Sequence, residues 1–224
     1  GCAYTTDGFV QNLAVPAGLT LGVMVNTGEL VRHEDGVAAA VDALFAHADD
    51  SPVTLVRLAS HFVEVEAALE ASARLHELGY LVGVNLMQIA DRTDAEIEEV
   101  ARRAAAEPPD VLYFADSLGS MDAVQTSRTI GVLRREWDGP LGIHTHDNMG
   151  RALVNSLQAM EDGVSWIDGT VAGMGRGPGN AKTEYLAIEV AERRHTPLDV
   201  APLLSLVERR FRPLQLEYGW GTNA

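Results

Sequence analysis

Residues 141–146, "LGIHTH", are a short apolar run that ends in two histidines one residue apart. The run reads as a buried strand, and "DNMG" (147–150) leads into a helical pattern over about 150–162. The same layout recurs in both directions. Upstream, "LTLGVMVN" (19–26), "VTLVRLASH" (53–61), "YLVGVNLMQ" (80–88) and "VLYFADSLG" (111–119) read as strands, followed by helices over 35–48, 63–79, 93–107 and about 121–136. Gly79 stops the second of these helices, and Thr93 with Glu96 forms a capping box at the start of the third. Downstream, "SWIDGTV" (165–171) precedes a helix from about Ala181, and a last helix over 198–211 precedes the tail "EYGWGTNA".

Six strand-then-helix units imply a parallel sheet covered on both faces. Each strand ends in polar groups: Asn26; Ser60 and His61; Asn85 and Gln88; Asp116 and Ser117; His144 and His146; Asp168 and Thr170. An open doubly wound sheet gathers its ligands at one switch point, whereas a (β/α)8 barrel builds its site from all its C-terminal strand ends. The distribution predicts an α/β TIM barrel, although six strands fall short of eight. Residues 1–195 are assigned to the barrel and 196–224 to a C-terminal helix and tail.

Composition narrows the partners. The 224 residues are 46 % hydrophobic and carry a formal net charge of -15, with a sequence pI near 4.7. Such a surface repels nucleic acid and anionic lipid, which leaves small molecules and proteins. Cys2 is the single cysteine, so no intramolecular disulfide or cysteine-rich zinc site forms. No apolar run approaches the ~20 residues of a membrane span, and the start lacks a signal-peptide layout, so a cytoplasmic protein is expected.

Alternate strand residues share a face, so His144 and His146 point together and suit one divalent cation. An H-x-H pair taken alone is more often a solvated strand end. "GMGRGPGNAKTE" (173–184) has glycine at 173, 175, 177 and 179 and enters a helix N-terminus, a place for an anionic group; Gly175 and Gly177 are candidate substrate contacts. On spacing alone Asn180 reads better as a helix cap than as a metal ligand. Arg176 is either a carboxylate clamp or a solvated loop residue. Asp116 and Ser117 suit an imidazole or a substrate hydroxyl, with helix capping as the alternative, and Asn85 and Arg57 are candidates of the same kind. Tyr218 is either an acid/base group over the mouth or a packed tail aromatic.

Together, "RLASHF", "GVNLMQ", "FADSLG", "HTHDNMG" and "VAGMGRGPGNAKTE" resemble the metal-dependent TIM-barrel lyases and aldolases that include hydroxymethylglutaryl-CoA lyase, isopropylmalate and homocitrate synthases and 4-hydroxy-2-oxovalerate aldolase. The resemblance covers about residues 19–190, and the "YGWG" tail is most similar to the 4-hydroxy-2-oxovalerate aldolase branch. It implies a divalent ion, Mn ahead of Mg, Zn or Co, held by His144, His146 and Asn180. It also implies a 2-oxo acid substrate met by Asn85, Asp116, Gly175 and Gly177, and catalytic roles for Ser117, Arg176 and Tyr218. The expected reaction cleaves a 4-hydroxy-2-oxo acid to pyruvate and an aldehyde. A Claisen-type acyl-CoA condensation and a catalytically inactive metal-binding scaffold are the alternatives. A homo-oligomer is expected, and homologous aldolases can pair with an aldehyde dehydrogenase. The family's first-strand Asp-Arg motif is not found; "GCAYTTDGF" resembles the end of a second strand, so the first two strands are expected to lie in a longer polypeptide.

Overall fold

The computed structural model describes residues 6–221; Cys2 and the last three tail residues lie outside the described residues. In chain order the elements are α1 (Thr6–Val10), β1 (Gly22–Asn26), α2 (Thr27–Leu30), α3 (Val37–Leu44), β2 (Leu55–Ser60), α4 (Val65–Glu77), β3 (Leu81–Leu86) and α5 (Asp94–Ala106). There follow β4 (Val111–Asp116), α6 (Ala123–Leu133), β5 (Leu141–Thr145), α7 (Ala152–Glu161), β6 (Trp166–Ile167), α8 (Thr183–Arg193), α9 (Ala201–Leu206) and α10 (Arg212–Tyr218). The strands form one sheet in the order β1-β2-β3-β4-β5-β6. A doubly wound sheet reverses its order at a switch point, and this one follows the chain without reversal, which is the order of a (β/α) barrel. Among the described residues six strands are present, where a complete barrel has eight.

Two compact units divide the described residues. The first holds the chain to Met87 with Glu99–Tyr113 and Trp137–Gly139; the second holds Gln88–Glu98, Phe114–Glu136 and the chain from Pro140 onward. In the first unit β1, β2 and β3 pair in parallel, with Met24, Arg57 and Gly83 in one row. Val56, Leu58, Val82 and Val84 are fully buried, and α4 lays Val65, Ala68, Leu69, Ser72 and Leu75 into the interior at helical spacing. Its solvent face carries Arg74, paired with Asp42 at 2.7 Å and with Glu77 at 2.5 Å.

Arg57 shows how a charge is accommodated inside an apolar strand. Its guanidinium lies 3.8 Å from the centre of the Tyr113 ring, a cation-π contact that replaces part of its hydration. Gly83 makes the reach possible, because a Cβ there would sit 3.2 Å from the Tyr113 ring and 3.3 Å from Arg57 Cγ.

In the second unit β5 pairs in parallel with β6. The sequence predicts a strand over 165–171, but β6 spans two residues. Gly169 explains the early end: a Cβ there would lie 2.9 Å from Leu186 Cδ1, so the chain leaves the ladder where α8 packs close. The last predicted helix, 198–211, instead starts at Ala201, passes through a π turn at Val207–Phe211 and runs on to Tyr218. Pro213 lacks an N–H and its ring crowds the carbonyl four residues back, so the helix widens there. The capping box of α5 forms as predicted, with Thr93 N donating to Glu96 Oε2 at 2.8 Å and Glu96 N to Thr93 Oγ1 at 3.3 Å. Among the described residues no helix is long and apolar enough to cross a membrane.

Gly83→Val drives a branched side chain into the Arg57–Tyr113 stack. The expected loss is about 1–3 kcal/mol of stability, read from the urea midpoint.

Candidate metal centre

β5 sorts its residues by alternation. Thr145 is 1 % exposed, and its hydroxyl shares a 2.9 Å hydrogen bond with Ser156 on α7. That anchor turns His144 and His146 to the opposite face, where their ring centres are 5.0 Å apart and nearly perpendicular at 86°. The acid and glycine of the same motif serve the chain itself. Asp147 Oδ1 accepts from the N–H of Ala152 at 2.9 Å, at the start of α7, and Gly150 holds a left-handed backbone.

The two imidazoles differ. His144 Nδ1 lies 2.9 Å from Asp168 Oδ2, a pairing that favours the proton on Nδ1 and leaves Nε2 as the lone-pair donor. His146 Nδ1 is buried without a hydrogen-bond partner. Burial, then the neighbouring His144 and the Arg176 charge, push the His146 pKa down to about 4. It is therefore neutral at physiological pH and free to donate an electron pair.

His146 and Asn180 form an isolated antiparallel bridge, so their side chains stand on the same face. Asn180 is 8 % exposed, its Nδ2 donates to Met174 O at 3.2 Å, and its Oδ1 is buried without a partner. The capping role that spacing favours for Asn180 is not what forms: α8 begins at Thr183, its N-cap position is Lys182, and no side chain caps it. The glycines are needed for chain-on-chain approach. A Cβ on Gly175 would meet Asn180 Nδ2 at 2.5 Å, and one on Gly179 would meet Gly173 O at 2.1 Å.

Arg176 is exposed and its Nη2 donates to Ser117 O at 3.1 Å, so the loop arginine and the serine just past β4 come together. Ser117 Oγ accepts from the N–H of Gln88 at 2.9 Å and thereby holds a residue with φ of 58°. Asp116 is 1 % exposed; burial pushes its pKa above the usual aspartate value, against the backbone hydrogen bonds it accepts from Ser120 and Met121. α6 is capped by Asp122 instead, which accepts from Gln125 N at 2.8 Å. Asn85 belongs to the first unit, where its Oδ1 is buried without a partner. Tyr218 is 71 % exposed, and the tail aromatic that packs is Trp220, at 7 %. Sequence reasoning placed Asp168 among the polar strand ends without giving it a role; its pairing with His144 depends on a neighbouring strand. The sequence offers Tyr218 as the tail aromatic and gives no signal that singles out Trp220.

Among the described residues no three His, Cys, Asp or Glu side chains come together to hold a metal ion. Two imidazoles and a carboxamide share one face instead. His146 Nδ1 and Asn180 Oδ1 are both buried without a hydrogen-bond partner, and imidazole nitrogen and carboxamide oxygen are donor types that could hold a divalent cation.

The chain is 31 % identical over 169 residues to 4-hydroxy-2-oxovalerate aldolase 2 of Nocardia farcinica, covering 75 % of this chain and 49 % of that protein. It is 31 % identical over 218 residues to 4-hydroxy-2-oxovalerate aldolase 2 of Rhodococcus jostii, covering 97 % of this chain and 61 % of that protein. The chain thus spans about half to three fifths of the length of these curated relatives. Among solved structures, the N-terminal domain of a presumed aldolase from Bacteroides vulgatus superposes with a TM-score of 0.81 at 25 % identity, over 98 % of this chain and 71 % of that one. The HMG-CoA lyase of Bacillus subtilis shares the fold, with a TM-score of 0.75 at 14 % identity, over 98 % of this chain and 77 % of that one. The HMGL-like family model matches residues 36–208, most of the chain, and the chain belongs to that family.

Proposed function

We propose that this chain carries the metal centre of a lyase that cleaves a 4-hydroxy-2-oxo acid between C3 and C4, giving pyruvate and an aldehyde. The observation that carries the reading is the His146–Asn180 pair, two residues bridged across the backbone, each with a buried side-chain atom that has no hydrogen-bond partner among the described residues. The relatives named 4-hydroxy-2-oxovalerate aldolase support the choice of reaction. His144, His146 and Asn180 are the proposed ligands, and Mn2+ is the proposed ion, since oxygen donors beside two imidazoles favour a harder cation. A divalent cation at this position supplies stabilisation for the negative charge that develops on the C2 oxygen as the carbon-carbon bond breaks.

The chain's own groups do the rest. Asp168 orients His144, as a carboxylate does behind many ligating imidazoles. Arg176 spends one N–H on Ser117 O and keeps its other donors for the substrate carboxylate or the developing enolate oxygen. The Ser117 hydroxyl accepts from Gln88, so its own proton is left to donate to a substrate oxygen. Both Asp116 oxygens are occupied by backbone N–H groups, which makes it a holder of the β4 loop and a poor candidate for the base that takes the 4-hydroxyl proton. Gly175 and Gly177 open the loop for a substrate beside Asn180. A cytoplasmic location and an aldehyde-consuming dehydrogenase as partner fit this chemistry.

Calorimetric titration of chelator-treated chain with Mn2+ tests the reading. One saturable site, lost in His146→Ala, is expected, together with pyruvate release from 4-hydroxy-2-oxopentanoate; absence of binding in the unaltered chain sinks it. Asp168→Asn is expected to weaken Mn2+ binding by about 10–100-fold while leaving one site per chain.

A further inference from the structure

Two buried side chains grip a single residue of the glycine-rich loop. Ala172 has left-handed backbone, φ 56° and ψ 21°, which costs a residue with a Cβ. Its N–H donates to Glu184 Oε2 at 3.0 Å, and its carbonyl accepts from the Trp220 indole Nε1 at 3.1 Å. Glu184 is 4 % exposed and Trp220 7 %. Neither bond is readily replaced by water, so removing either partner leaves a buried polar group unpaired. The tail after α10 touches the loop a second time, where Gly221 N–H donates to Gly177 O at 2.9 Å. Gln215 Nε2 donates to Trp220 O at 3.2 Å and ties the tail back to α10.

The residues between those two contacts are the seat of Asn180. Gly173 O accepts from Asn180 N–H at 3.2 Å, and Met174 O accepts from its side-chain Nδ2, also at 3.2 Å. Arg176 lies on the same span. We infer that Trp220 is a positioning residue: by holding the Ala172 carbonyl it fixes the loop that presents Asn180 Oδ1 and Arg176. The site is then complete only with the tail docked. The consequence for a bound cation rests on the function proposed above; the order of the loop does not.

The geometry also separates this role from plain packing. An aromatic ring without a donor fills the same space, but leaves the Ala172 carbonyl unpaired. The loop carries its own reporter as well, because trypsin cleaves after Arg176 once the chain there leaves its folded course.

The experiment is trypsin cleavage of the metal-free chain, followed by mass spectrometry, in parallel with Mn2+ titration, for the parent, Trp220→Phe and Trp220→Ala. Cleavage after Arg176 is expected to rise about fivefold in Trp220→Phe and further in Trp220→Ala, with cleavage after Arg151 unchanged and Mn2+ affinity falling in the same order. Cleavage after Arg176 at the parent rate in Trp220→Phe overturns the inference. An equal rise at Arg151 and Arg176 also overturns it, because Trp220 then supports stability in general. A loosened loop with unaltered Mn2+ affinity removes the link to Asn180. If the parent itself binds no Mn2+, the proposed metal centre fails, and cleavage after Arg176 still decides whether the tail holds the loop.

Discussion

The backbone bridge between His146 and Asn180 is the contact on which the rest of the site depends. It joins the end of β5 to a loop 34 residues further on and sets an imidazole and a carboxamide side by side on one face. Around it the chain repeats the link: Asp147 N–H donates to Gly179 O, and Ala181 N–H to Thr145 O. Those bonds require close backbone approach. The contacts a Cβ would make at Gly175 and Gly179 show that glycine supplies it, and at the centre His146 Nδ1 and Asn180 Oδ1 are left buried without hydrogen-bond partners.

The alternation of strands and helices was legible because each strand is a continuous apolar run and each helix shows one apolar face. Element ends were less so. "SWIDGTV" has strand composition throughout and so predicts a longer β6 than forms, while the close packing of Leu186 and Thr183 on Gly169 comes from residues further along the chain. The π turn was invisible for a similar reason, since Val207–Phe211 has ordinary helix composition and the cause is Pro213 further on.

The site divides along the same line. His144 and His146 could be paired from spacing because strand geometry is local. Asn180 could not, since "GNAKTE" looks like a capped helix start and only the bridge to His146 removes it from that role. Asp168, Glu184 and Trp220 act through partners 24, 12 and 48 residues away, distances at which residue type alone carries little information. Arg57, a candidate site residue in the sequence, stacks instead on an aromatic face supplied by Tyr113.

The π turn has a further consequence. A turn of this kind amounts to one extra residue in an α-helix, and each residue turns the chain by about 100°. Everything after Phe211 is therefore rotated by one residue's worth relative to an unbroken helix from Ala201. Whether the indole of Trp220 meets Ala172 or misses it is thus a matter of phase, written into the chain by a proline seven positions upstream.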